Sequence, residues 1–330
     1  MAVSINDIKK LRELTGAGLS DCKKALEETN CDFDKAMEEI RKKGKAVAAK
    51  REARDAAEGT VVAAANGGYA ALIALKCETD FVATNERFTT LAKKVLDIAM
   101  NEKPATIADL LAAKTAEGTL QDTIEALIAV TGEKMEIGAY ETVSGASAVA
   151  YNHFNNKLSA IVAFNQEGVD AIVAKNVASQ VAAMNPVAVN QDEVSQETKD
   201  REFAIAIDKS KEEQVNKAVD AALKKAGINP THVDSEDHIE SNTAKGWITP
   251  EQAAQAREIR ATVSAEKAAS LNEQMIQNIA KGRLNKFFKE NCLVEQEFVL
   301  DEKMTVQQYM DSQSKGLTAT AFKRVNLNQD

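Results

Sequence analysis

The sequence predicts an α+β chain of more than one folding unit, on three observations. Its 330 residues exceed what a single hydrophobic core usually organises. Alanine supplies about a sixth of the residues while aromatics supply 5%, a balance that favours helices packed through small side chains. Against that helical background, two pairs of short extended runs, each pair joined by a turn and followed by a helical pattern, mark antiparallel hairpins. Hydrophobic residues at 44% and charged residues at 28% are near globular averages and exclude a wholly disordered or fibrous chain.

The first 44 residues read as three short helices. Ser4 with Asp7 three residues on is a capping signal, and Ile5, Ile8 and Leu11 share one stripe. Thr15-Gly16-Ala17-Gly18 breaks that helix, because glycine tolerates the left-handed conformation of a helix end. A second helix begins near Ser20 and runs to about Asn30. Phe33, Ala36, Met37 and Ile40 mark a third, expected to close at Gly44. A bundle this small suits an appended recognition module. Residues 41–54 carry seven basic groups and one acidic group, readable as a solvated helical linker or as an RNA contact.

Val61 to Ala65 and Tyr69 to Cys77 then form a hairpin about Asn66-Gly67-Gly68. Phe88, Leu91, Ala92, Val95 and Ala99 define a helix that Pro104 stops, helices follow at 106–114 and 119–131, and Glu136 to Val143 is a third strand. The theme repeats: Ala148 to Phe154 and Leu158 to Phe164 flank Asn155-Asn156, and a helix runs from Val169 to Met184. Two related α+β subdomains follow from this repetition. Residues 191–280 are polar and helical. One helix covers about 195–226, a loop with Gly227, Pro230 and Gly246 follows, and a second helix opens at Thr249-Pro250-Glu251-Gln252, giving a two-helix arm of coiled-coil type. Helix continues through Gly282 to Glu290, Phe298 to Leu300 and Thr318 to Val325 are extended, and the chain is expected to end at Asp330 without a further helix. The expected divisions are 1–55 helical domain with basic linker, 56–145 first core subdomain, 146–190 and 281–330 second core subdomain, and 191–280 inserted arm.

The formal charge of −9 carries no general footprint for nucleic acid or anionic lipid, so protein is the favoured partner. No apolar signal core lies in Met1 to Lys10, no stretch approaches a membrane span, and the four scattered cysteines read as reduced thiols, together a cytoplasmic chain. Neither common nucleotide cradle is encoded, and no nucleophile motif accompanies His153, His232 or His238, so neither a cofactor of its own nor covalent catalysis is expected. One feature is odd. Thr79-Asp80-Phe81-Val82 sits at an elbow between strand and helix among Glu78, Asn85 and Glu86. Composition alone favours an inward, core-filling Phe81. An outward ring is the other reading, with Asp80 as helix cap or as an aid beside it.

The chain resembles the bacterial elongation factor Ts family. The resemblance rests on Leu11-Arg12-Glu13-Leu14-Thr15-Gly16-Ala17-Gly18 with Asp21-Cys22-Lys23-Lys24-Ala25-Leu26, on Cys77-Glu78-Thr79-Asp80-Phe81-Val82-Ala83, and on Gly282-Arg283-Leu284 through Lys286-Phe287-Phe288 to Gln296 and Phe298-Val299. It implies an α+β multidomain chain: an N-terminal three-helix bundle like a ubiquitin-associated domain, a two-subdomain core of antiparallel sheets with helices, and an inserted helical hairpin. It also implies guanine nucleotide exchange on elongation factor Tu, without covalent chemistry. GDP, GTP and Mg2+ belong to that partner, and neither nucleic acid nor membrane is contacted directly. By resemblance Phe81 points outward as a wedge near the partner's magnesium site with Thr79, Asp80 and Val82 around it, Leu11, Leu19 and Lys23 meet the same GTPase domain, and Gln180 lies in a further contact where a histidine is frequent. Leu19-Ser20 replaces a frequent pair of methionines, residues 211–264 are longer than usual, and a terminal helix of some members is missing. The arm could dimerise or project into solvent. From another class, the alternative is a ribosome- or RNA-associated helical scaffold using residues 41–54 and the arm.

Overall fold

The computed structural model describes residues 3–116 and 118–328. Met1, Ala2, Glu117, Gln329 and Asp330, and with them the expected chain end, lie outside the described residues. The fold is α+β, with thirteen α-helices and four small antiparallel sheets among the described residues. It forms two compact units: Met1–Val189 with Glu297–Asp330, and Asn190–Gln296.

The first unit opens with α1 (Ile5–Thr15), α2 (Leu19–Glu28) and α3 (Phe33–Arg51). Ser4 caps α1 by accepting the Asp7 amide, and Gly16 ends it at φ 68°, a left-handed position that glycine adopts without a Cβ clash. Leu11, Cys22, Ala25, Leu26 and Ala36 close the bundle's core. The expected stop at Gly44 is corrected, because α3 runs on through it to Arg51. A Cβ at Gly44 would stand 3.4 Å from the Glu125 carbonyl oxygen and 3.6 Å from the Ala129 Cβ, so the glycine serves close helix approach and not termination. The basic run is thus half of a docked helix.

Next come β1 (Glu58–Asn66), β2 (Tyr69–Cys77), α4 (Asp80–Ala83), α5 (Glu86–Glu102), α6 (Ile107–Ala112), β3 (Lys114–Thr115), β4 (Gly118–Thr119), α7 (Leu120–Thr131) and β5 (Met135–Ser144). β1, β2 and β5 make an antiparallel sheet with β2 in the centre. The near-continuous apolar run of β2 follows from burial on both faces. Ala71, Ile73, Leu75 and Cys77 pack with Phe88, Leu91 and Val95 of α5 and Leu120, Ile124 and Ile128 of α7, while Ala70, Leu72 and Ala74 face the second sheet. That sheet, ordered β10-β7-β6, uses β6 (Ser147–Asn152) and β7 (Leu158–Phe164), with α8 (Ala171–Met184) following. Asn152 ties the two sheets: its Oδ1 accepts the Ala63 amide at 2.8 Å and its Nδ2 donates to the Ala63 carbonyl at 2.9 Å.

The second unit interrupts the first in sequence with α9 (Gln196–Lys225), α10 (Glu236–Ala244), α11 (Pro250–Ala269) and α12 (Glu273–Asn291). A simple hairpin joined by a loop is therefore corrected. The loop contains α10, and Val219, Leu223, Ile228, Val233, Ile239, Ile248, Ala253 and Ala256 form a compact core there. The second long helix breaks at Ser270, and α12 packs along α9, where Arg283 and Glu213 pair at 2.6 Å. The unit runs to Gln296, beyond the expected division at 280. The chain then returns to the first unit through β8 (Glu297–Phe298), β9 (Asp301–Thr305), α13 (Val306–Gln313) and β10 (Ala319–Asn326).

Candidate functional site

The sequence expectations concentrate at the elbow after β2. The ladder between β2 and β5 ends at the pair Cys77↔Met135, and the next residues are joined by side chains instead. Glu78 accepts the Lys134 amide at 2.7 Å, while Glu133 accepts the Thr79 amide at 3.1 Å and its hydroxyl at 2.6 Å. Arg54 adds a bond to Glu78 at 3.0 Å. The Lys134 amide, seconded by the Arg54 guanidinium, holds the Glu78 carboxyl below the usual carboxylate range. Burial, with the charge of Glu133 second, pushes the Cys77 thiol up to about 12, so it stays a protonated packing group.

On this base stands α4, a single helical turn. Its N-cap is Thr79, which accepts the Val82 amide, so Asp80 is the first helical residue and not the cap. The Thr84 hydroxyl closes the other end by donating to the Asp80 and Phe81 carbonyls at 3.0 and 3.2 Å. Val82 and Ala83 turn toward the core shared with α5, whereas Asp80 is exposed and Phe81 is 84% exposed. The inward reading of Phe81 from composition is thereby overturned. Each inward position of this turn is already filled by a small or branched side chain, and the ring has no slot.

The remaining site residues separate into exposed and buried ones. Leu19 and Lys23 are exposed on α2, with Lys23 in an i,i+4 pair to Glu27 at 3.7 Å. Leu11 is fully buried in the bundle, so its expected contact with a partner is corrected to a packing role; Leu14 is the exposed leucine of α1. The turn between α1 and α2 lies beside the start of α5, where a Cβ on Gly16 would be 3.1 Å from the Arg87 guanidinium. Gln180 is likewise fully buried. Its Nε2 donates to the Glu297 carbonyl at 3.1 Å and its Oε1 accepts the Val299 amide at 2.9 Å, so its direct contact is corrected to a support of the turn between β8 and β9. That turn exposes Val299 and Leu300, an apolar pair that sequence reasoning read only as strand. Phe154, 89% exposed beside the Asn155-Asn156 turn, was legible only as part of a hairpin. Among the described residues, no three His, Cys, Asp or Glu side chains converge as metal ligands, and no helix is long and apolar enough to cross a membrane.

A family model described as elongation factor TS matches residues 78–329. Curated relatives are similar over all of this chain and all of their own length. The chain is 57% identical to elongation factor Ts of Bacteroides thetaiotaomicron, 54% to that of Bacteroides fragilis and 45% to that of Porphyromonas gingivalis.

Proposed function

Since the chain belongs to the elongation factor Ts family, whose members are translation elongation factors of protein biosynthesis, we propose that it is the nucleotide exchange factor for elongation factor Tu in the cytoplasm. The observation that carries this reading is Phe81, an aromatic ring on a capped, rigid turn with its face in solvent. Sheathing such a ring in a partner contributes about 2 to 3 kcal/mol, the size of an interface hot spot. Phe81 enters beside the partner's magnesium site with Thr79, Asp80 and Val82 as its frame. Leu19 and Lys23, on a bundle like a ubiquitin-associated domain, meet the same GTPase domain, and the turn that Gln180 supports grips elsewhere on the partner. The nucleotide and Mg2+ remain the partner's own, and no acid, base or nucleophile of this chain takes part.

By linkage, a factor that lowers the GTPase's affinity for GDP has its own affinity lowered by GDP to the same degree. The reading is tested by mixing the chain with elongation factor Tu preloaded with a fluorescent GDP analogue. Accelerated release is expected, together with tighter binding of the chain to the nucleotide-free GTPase than to its GDP form. Equal affinity for both forms would reject it. The scaffold alternative draws less support, because Lys43, Lys45 and Arg54 of the basic run pair with Asp21, Asp122 and Glu78 and have less charge to offer a phosphate backbone.

A further inference from the structure

We propose that Glu133 is a positioning residue for Phe81, an inference that rests on the reading of Phe81 as the exchange wedge. Glu133 follows Gly132, which ends α7 at φ 74°, and its own amide is held by the Thr131 hydroxyl at 3.3 Å. Its carboxylate therefore arises from a fixed corner and not from a loose loop. Both its oxygens are used on one residue: Oε2 takes the Thr79 amide at 3.1 Å and Oε1 takes the Thr79 hydroxyl proton at 2.6 Å.

A threonine hydroxyl has one proton and two lone pairs. With the proton committed to Glu133, a lone pair of Thr79 Oγ1 is left for the Val82 amide, one of the orphan donors at the start of α4. The bond from Val82 is long, at 3.4 Å, so the cap depends on the hydroxyl being correctly turned. Four residues of helix are too few to hold themselves in water. α4 persists because its cap is oriented from outside, and the orientation comes from Glu133 across the gap where the β2 to β5 ladder has ended. The crossed partner, Glu78 on the Lys134 amide, fixes the same gap from the other side. Glu133 touches no partner in this scheme. It keeps the turn formed before docking, so that the ring arrives in place and its ordering is not charged to the encounter.

The test uses the full chain and elongation factor Tu carrying a fluorescent GDP analogue, with release rate followed against factor concentration. Glu133→Ala is expected to lower the plateau rate about tenfold, as for loss of charge-assisted hydrogen bonds, while the half-saturating concentration moves less than about twofold. Glu133→Gln restores the plateau to within about twofold, because its amide can accept the Thr79 N–H and donate to the Thr79 Oγ1, whose second lone pair still faces Val82. A general loss of stability lowers the folded fraction of the factor and so moves the half-saturating concentration and not the plateau. Thr79→Val, which removes the same hydroxyl, is expected to give the plateau loss by itself and stands in should Glu133→Ala fold poorly; where both fold, the double variant adds no further loss. A wild-type plateau in Glu133→Ala, or a loss confined to half-saturation, overturns the proposal. Phe81→Ala is run alongside: an unchanged plateau there rejects the wedge itself, whereas its loss with Glu133→Ala unaffected rejects only the positioning role.

Discussion

Leu11, Leu14 and Leu19 lie within nine residues in sequence and have opposite fates. Leu11 fills the bundle's core, and the other two face water. The helical stripe through Ile8 and Leu11 made the first legible, but the motif that points to partner contact spans all three and does not separate inside from outside. Leu11→Ala is expected to cost about 2 to 4 kcal/mol of stability by leaving a cavity. Leu19→Ala should stay within about 0.5 kcal/mol in urea unfolding while weakening binding to the GTPase. Loss of stability in the second variant comparable to the first would contradict this division. Phe81 shows the same limit of sequence reading. Four residues hold no period, so the ring's direction came from the resemblance and from the cap, not from patterning.

Among elements, the strands and long helices were legible because their periods are long and their ends carry chemical signals: Asn66-Gly67 for the first hairpin, Thr249 with Gln252 for the start of α11. Two signals misled. Gly44 looked like a helix end and is a contact point for α7, and α10, whose only buried residues are Ile239 and Asn242, was hidden in a polar loop. The junction of α3 with α7 also has a pH signature. The Thr119 amide, followed by Lys45 at 3.0 Å, holds the Asp122 carboxyl down to about 2, from 3.8 when free. Between those values the unfolded chain binds more protons, so this contribution is complete above about pH 4 and is lost as pH falls toward 2. Its size is on the order of 1 kcal/mol, discounted because Lys45 reaches into solvent. Urea unfolding across that window should show a shallower acid slope in Asp122→Asn than in the wild-type chain; equal slopes would mean the carboxylate is not so perturbed.

At the scale of the whole molecule, one unit carries every element the exchange reading uses, and the other is a helical insertion with its own core. The repeated hairpin-then-helix pattern made the two three-stranded sheets legible. The insertion's inner break at Ser270 and the return strand β9 were not legible, since short polar segments bury too little to leave a pattern. In the exchange reading Phe81 acts on the bound nucleotide and does not merely add contact area. The direct measurement is the plateau rate of GDP release from elongation factor Tu with saturating wild-type chain and with Phe81→Ala. A wedge gives a fall of tenfold or more in the plateau, on the order of 1.4 kcal/mol or above in the barrier. An unchanged plateau reached at a higher concentration would contradict it, leaving the ring as one more docking contact.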